Sequence, residues 1–380
     1  GDKLAMNIAV VAGGTLNVKV DFAGTKLSAD QSSEAAIQSF VVKIGDANVE
    51  GKIDGNNISF IIPDGLENLT FAPTIVISDK ATITPASGVE QDFSSPVIYT
   101  VTSEDGIVTT KYTVSVSGQI RDFGFDEWET IKSSTSGSTE QYDVPKGLYG
   151  TSNPGIMTIN EMFGSNLPEL FSYTVSPVEG QSGKAAKLQT VYTYMFLNGM
   201  DFNALLGGLV PYVTAGSLFT GIFKTDMNNT LNSTKFGVPF VGEPATFTGY
   251  YKYTPGTTYY NNKNEVVADK TDECSIYAVL YEELLDEENN NIPLNGDYND
   301  PDLYIGSSKR IVMKAVLEDG TAKSDWTKFS IPFKLLEGKS YDATKKYYLA
   351  IVCSSSAEGD YFMGAPGSTL FIDSFTVTPQ

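Results

Sequence analysis

The chain of 380 residues contains no histidine. Without imidazole there is no Ser-His-Asp or Cys-His relay to activate a nucleophile, no zincin helix and no His-ligated zinc or iron. Any enzymatic chemistry would fall to carboxylates, tyrosines or lysines. Cysteine is nearly as scarce: Cys274 and Cys353 are the whole complement, and each interrupts an apolar, strand-like run. Neither stands in a Cys-x-x-Cys pair, so metal knots and redox motifs are set aside and buried free thiols are expected. Basic residues are outnumbered, 26 Lys and Arg against 46 Asp and Glu, for a formal net charge of -20. Such a chain repels nucleic acid backbones and anionic membrane surfaces, which leaves a neutral or basic partner. Long apolar runs are also missing. The longest, "ALLGGLVPYV" at 204–213, is broken by Gly-Gly and Pro and is too short to span a bilayer; it reads as a loop with a helical turn. No signal peptide is read in the chain, but Gly1 reads as an expression scar, which leaves room for a removed N-terminal export segment, so export is the expectation.

What is abundant points to strands. Twenty-one Tyr and 21 Phe are set among many Thr, Ser, Gly and Asn, a profile of sheets and turns. From residue 4 to 117 short alternating runs follow one another: "LNVKVDF", "SFVVKI", "NISFII", "TIVIS", "VIYTVT" and "KYTVSV". Asp54-Gly55 and Glu104-Asp105-Gly106 separate two pairs of these runs, and a glycine there supplies the positive φ of a tight hairpin. About seven strands in about 110 residues read as an immunoglobulin-like sandwich. A boundary near Gly118 to Asp122 divides residues 1–119 from 120–380. The second part holds "AAKLQTVYTYMF", "SLFTGIF", "ATFTGYYKY", "CSIYAVLYEEL", "RIVMKAVL", "TKFSIPF", "KYYLAIVCS" and "TLFIDSFTV". Eight or more strands with long connections and almost no helical periodicity predict a jelly roll, so the fold class is all-β throughout. The acidic, Asn-rich segment 286–302 reads as an exposed insertion loop.

Several constellations could carry chemistry. "FDEW" (Phe125, Asp126, Glu127, Trp128) and "FIDSF" (Phe371 to Phe375) fall on the first and last strands of the second domain, which in a jelly roll lie together. Strand alternation puts Phe125, Glu127 and Glu129 on one face and Asp126 and Trp128 on the other. The acids either are solvated beside a packed aromatic, or Asp126 or Asp373 holds a structural calcium with backbone carbonyls, or a pair of them is catalytic. Glycoside hydrolysis needs two carboxyl groups about 5 Å apart for retention or about 6.5–9.5 Å for inversion. Glu127, Glu129, Asp272, Glu273 and Asp373 are the candidates, although the Glu-x-Asp-x-x-Glu pattern of laminarinase-like jelly rolls is absent. Glu358-Gly-Asp360 is the nearest fragment in this domain and lacks the third acid.

A second constellation is "FTGYYKYTPG", where Tyr250 and Lys252 share one face and Tyr251 and Tyr253 the other. In "DECSIYAVLY" the residues Asp272, Cys274, Ile276, Ala278 and Leu280 face the sheet interior, while Glu273, Ser275, Tyr277 and Tyr281 face a groove. Two adjacent strands of this kind would form an aromatic and polar platform: tyrosine rings stack on the apolar face of a sugar, and hydroxyls or charged groups orient it. Each tyrosine could equally be a β-former with a satisfied hydroxyl. "DYNDPD" (Asp297 to Asp302) lacks the Gly and Glu of an EF-hand and reads as a solvated loop, and the glycines after Ser354 are not followed by the Lys-Ser/Thr of a phosphate loop.

The 83–116 stretch resembles the Ig-like modules of Bacteroidetes surface proteins. The order "FDEW", "TSNPG", "GQSGKAAKLQT", "AGSLFTGIF", "FGVPFVGEPATFTGYYKYTPG", "DECSIYAVLYEE" and "IVCSSSAEGDYFMGAPGSTLFIDSF" resembles the Bacteroidetes family called the putative carbohydrate metabolism domain, from about Phe123 to Val377. That resemblance implies a jelly roll of the kind found in glycan-binding modules and glycoside hydrolases. It also implies a cell-surface lipoprotein or periplasmic protein of bacteria that harvest polysaccharides. It transfers no catalytic pair. The expectation is a carbohydrate-binding protein, monomeric and without a cofactor beyond a structural calcium. Its ligand set would be Tyr250, Lys252, Glu273 and Tyr277, with Trp128 and Asp272 as outer members. A glycoside hydrolase is the first alternative and a surface adhesin or assembly subunit the second.

Overall fold

The computed structural model describes residues 31–63, 66, 68–93, 95–119 and 121–380. The strand expected at "LNVKVDF" (16–22) lies outside the described residues. In the N-terminal part a three-stranded sheet (Ala47–Glu50, Ile37–Ile44, Thr74–Ile77) faces a five-stranded one (Lys52–Asp54, Asn57–Ile62, Thr109–Gln119, Val97–Thr102, Thr82–Thr84). Alternate residues of Asn57–Ile62 and Val97–Thr102 turn inward, and Phe40, Phe60, Phe71, Phe93 and Tyr99 meet between the sheets as one aromatic core. Both expected hairpins form, with Gly55 at φ +55° and Gly106 at φ +70°. Their strands are joined by a parallel pairing of Thr109–Gln119 with Asn57–Ile62, which hairpin signals do not announce.

The second part is a larger sandwich. One sheet runs in the order Val175–Glu179, Lys184–Gln189, Thr369–Pro379, Pro244–Thr254, Lys323–Pro332, and Arg121–Phe123 pairs with Thr369–Pro379. The other, of eight strands, runs Tyr149–Thr151, Ser217–Phe223, Tyr347–Ser354, Ser275–Glu282, Ile311–Val316, Lys334–Leu335, with Thr234–Phe236 paired to Ser217–Phe223 and Val238–Phe240 to Tyr347–Ser354. All eight runs predicted from alternation form strands. Between the sheets lies the main core: Phe247, Tyr251, Phe329, Ile372 and Phe375 from the first sheet meet Ile276, Ala278, Leu280, Leu349 and Ile351 from the second. The expected meeting of the two aromatic motifs occurs here, with the Phe125 ring 5.4 Å from that of Phe375.

One helix departs from the sequence expectation. Helix α1 (Asn153–Phe163) follows Thr151 directly, with Ser152 at its N-cap and Pro154 in its first turn. Ile156 and Ile159 are buried, and Phe163 packs beside a small cluster of Met195, Leu197 and Val210. The segment 286–302 is likewise only half the exposed loop expected. Residues 286–290 are exposed, but Leu294, Asn295 and Asp297 are buried, and Asp297 accepts a hydrogen bond from Asn229 at 2.6 Å.

Gly249 lies where the aromatic core is tightly packed. A Cβ there would lie 2.3 Å from the Phe375 ring and 2.8 Å from that of Phe329, so the aromatic cluster exists only because this position has no side chain. Gly249→Ala is therefore expected to cost about 1–3 kcal/mol by overpacking. Urea unfolding should show it as a lower midpoint with an unchanged slope.

Candidate functional site

The outer face of the eight-membered sheet is not flat. Phe219, Val352, Ser354, Ser275 and Tyr277, from three neighbouring strands, form the floor of a cleft of about 270 Å³. Helix α1 supplies one wall through Ile159, Met162 and Phe163. Phe223, Met227 and Leu231 supply a second, and Tyr304, Ile305, Asp360 and Phe362 a third. The cleft is thus apolar towards α1 and polar towards the third wall.

The polar end is built by tyrosines around one acid. Tyr304 Oη donates to Asp360 Oδ2 at 2.5 Å, and Tyr304 and Tyr361 hydroxyls are 3.5 Å apart. Tyr361 stacks on Tyr298 with ring centroids 5.2 Å apart, and both rings are exposed beside the mouth. Desolvation by the surrounding walls pushes the Asp360 carboxyl above its usual range, partly offset by the Tyr304 hydrogen bond. Burial raises the Tyr277 and Tyr304 phenols too, so both are hydrogen-bond donors at neutral pH. Tyr277 is half-buried, and among the described residues none hydrogen-bonds to its hydroxyl, which opens on the cleft. Phe362 is held at φ +58°, a left-handed conformation rare for a bulky residue, as it enters the cleft wall.

The residues singled out in the sequence are spread more widely than a single platform. Ser275 and Tyr277 do face a groove, and Cys274, Ile276, Ala278 and Leu280 face the core, as alternation requires. Tyr250 and Lys252 do not join them. Pro244–Thr254 and Ser275–Glu282 belong to different sheets, so residues pointing away from the shared core leave on opposite sides of the sandwich. Glu273 is exposed, and its carbonyl accepts from Ala357 N at 2.7 Å at the edge of the cleft.

The other acids hold backbone. Asp373 is buried and accepts from Gln181 N at 2.7 Å and Ser182 N at 3.1 Å, while Asp126 accepts from Lys184 N at 2.9 Å. Both calcium candidates therefore clasp one turn, between Val175–Glu179 and Lys184–Gln189. Among the described residues no group of three or more His, Cys, Asp or Glu is placed to hold a metal ion. Trp128 is half-buried against the core and donates from Nε1 to the Phe125 carbonyl at 2.6 Å. Strand alternation fails across "FDEW" because the strand begins only at Trp128. Glu127 pairs with Lys146 at 3.1 Å in solvent, and Glu129 is exposed. None of the five carboxylates considered for catalysis lines the cleft; of its lining residues Asp360 alone is acidic.

Asp272 is buried as well and accepts four hydrogen bonds. Its Oδ2 accepts from Ser356 Oγ at 2.6 Å, Ser368 Oγ at 2.7 Å and Ala365 N at 2.8 Å, and its Oδ1 from Glu273 N at 3.0 Å. Thr190 Oγ1 extends the cluster to Ser355 and Ser356. The two cysteines are free and buried, as expected, and burial pushes the Cys274 thiol up to about 12.

Sequence reasoning missed Tyr304, Asp360 and the α1 wall. The signals were present in part: Ser152-Asn153-Pro154 is a helix start and Ile156, Ile159 and Phe163 keep helical spacing. Glu358-Gly-Asp360 stands out in the sequence only for the third acid it lacks.

A family model described as "Putative carbohydrate metabolism domain" matches residues 124–378, and one described as "SGBP, N-terminal", the N-terminal domain of surface glycan-binding proteins, matches 37–116. Among solved structures, a "putative glycoside hydrolase" from Bacteroides thetaiotaomicron VPI-5482 is 31% identical over 93% of this chain and 98% of its own, with a TM-score of 0.54. Another "putative glycoside hydrolase", from Bacteroides vulgatus ATCC 8482, is 26% identical over 68% of this chain and 98% of its own, with a TM-score of 0.50. None of the curated proteins compared matches the chain significantly. No helix among the described residues is long and apolar enough to cross a membrane.

Asp272→Ala would strand buried donors from Ser356, Ser368 and Ala365, and is expected to cost about 1–3 kcal/mol. The pH dependence has a definite sign. Desolvation raises the folded-state pKa of Asp272 above its ordinary 3.8, so its contribution to stability is complete below that value and is lost as pH rises through the raised one. Denaturation at a series of pH values should show Asp272→Asn lacking this component of the wild-type slope.

Proposed function

From the premise that this chain belongs to the putative carbohydrate metabolism domain family, we propose that its jelly roll recognises a glycan in the cleft on the eight-membered sheet. The observation that carries the reading is the unpartnered Tyr277 hydroxyl on the cleft floor, facing the same space as the Tyr304–Asp360 pair. Tyr277 is half-buried and its hydroxyl is open to the cleft, so a ligand hydroxyl can pair with it without breaking a bond inside the protein. A pyranose offers hydroxyls around its edge and an apolar C–H face. The exposed Tyr298 and Tyr361 rings can take the face, while Asp360 and the tyrosine hydroxyls take the edge. Ile159, Met162 and Phe223, at the far end, would enclose the less polar part of the ligand.

The N-terminal sandwich would act as spacer and scaffold, and its match to a surface glycan-binding domain supports a position at the cell surface, as a lipoprotein, or in the periplasm. Hydrolysis is a second reading, favoured by the description of the relative that is 31% identical. It requires a second carboxylate to reach the cleft beside Asp360, since glycosidic cleavage by the usual routes uses two.

Tyr277→Phe and Asp360→Asn should each lower glycan affinity about tenfold, the worth of one well-placed hydrogen bond. Because the Asp360 carboxyl is raised by desolvation, wild-type affinity should fall on acidification at a pH above 3.8, and Asp360→Asn should be flat there. Calorimetry on glycans selected from an array reads both effects. Unchanged affinity in both variants would remove the cleft as the site, and new reducing ends on incubation would favour the hydrolase.

A further inference from the structure

The outer face of the first sheet carries a feature that the cleft does not explain. The Lys252 ammonium lies 4.8 Å from the Trp326 ring centroid and 4.9 Å from that of Phe371, held between the two. Strand register produces this. Phe371 stands opposite Lys252 on one side and Lys187 on the other. On its second side the regular register of Tyr250 with Lys328 and Tyr251 with Thr327 continues to put Trp326 across from Lys252, just before the ladder shifts at Tyr253. At the strand spacing of about 4.8 Å, the row Lys187, Phe371, Lys252, Trp326 crosses roughly 14 Å of sheet. Two residues along, Tyr250 stands opposite Lys328, whose ammonium is 6.0 Å from the tyrosine ring.

None of these six side chains is buried. Among the described residues Lys187, Lys252 and Lys328 pair with no carboxylate, although other lysines of the chain do. Asp325 is exposed at one end of the row, and Asp373, opposite Tyr250, is buried with its Oδ2 engaged by backbone amides. Three unpaired cations flanked by three rings, on a chain of net charge -20, form a local inversion of the protein's field.

We propose that this face is a second glycan-binding surface, separate from the cleft and selective for acidic polysaccharides that carry uronate carboxylates. The lysines meet the carboxylates, and Trp326, Phe371 and Tyr250 receive the C–H faces of the sugar rings. The surrounding negative charge repels the rest of the polyanion, which restricts binding to this row and makes it strongly dependent on salt.

The test is affinity electrophoresis of the full chain through gels containing polygalacturonate, alginate, a neutral β-glucan or dextran sulfate. Retardation by a uronate polymer but not by neutral glucan is expected. Lys187→Gln/Lys252→Gln/Lys328→Gln should weaken that retardation by about tenfold or more, and Trp326→Ala should weaken it as well, whereas Tyr277→Phe should leave it intact. Circular dichroism and melting of the lysine variant check that its fold is kept, as expected where no altered side chain is buried. No retardation by either uronate polymer would overturn the proposal. So would equal retardation by dextran sulfate that survives Trp326→Ala, which is charge attraction alone, or concentration-dependent dimerisation lost in the lysine variant, which would make the face a self-interface.

Discussion

A buried carboxylate without a cation is expensive, and the structure places one, Asp272, where both ends of a crossover must be fixed. The chain leaves the second sheet at Ser354 and enters the first at Thr369. Between them it must turn across the edge of the sandwich. Asp272 binds Ser356 near the start of that path and Ala365 and Ser368 near its end, so four donors offset the desolvation of one side chain. The segment so pinned supplies Asp360, Tyr361 and Phe362 to the cleft. A residue read from the sequence as an outer member of a ligand set instead shapes the site from behind.

The division of labour between the two sheets follows from the same geometry. Each sheet spends one face on the shared core and has one left. On the second sheet the spare face is roofed by α1 and by long connections, which makes a cleft with a polar and an apolar end. On the first it stays open, and cross-strand register alone sets the order of lysines and rings. An enclosed surface suits a single sugar unit or chain end, while an open row of side chains suits the middle of a chain.

The fold was legible because alternation is local. The eight strands of the jelly roll, the hairpins at Gly55 and Gly106 and the inward faces of "CSIYAVLY" all follow from period two and from glycine at positive φ. Which strand neighbours which is not local. Tyr250 and Tyr277 look alike in sequence, each an aromatic on the polar side of a strand, yet a sandwich sends them to opposite surfaces. Tyr304 and Asp360 are distant from each other in the chain and meet only after two loops have folded over the sheet. The helix was lost among strands, because Ile156, Ile159 and Phe163 must be read together with the proline start to outweigh a β-rich context.

The junction between the two sandwiches is itself part of a sheet. Arg121–Phe123 pairs with Thr376, Val377 and Phe375 of the last strand, Phe125 is sealed beneath it, and Gly118 admits Pro379 with no room for a Cβ. A pull between a tether on the N-terminal side and a ligand held by the jelly roll would therefore load backbone hydrogen bonds and buried aromatic packing rather than a slack linker. Drawing the sandwiches apart at this joint would mean peeling Arg121–Phe123 from the edge of the last strand.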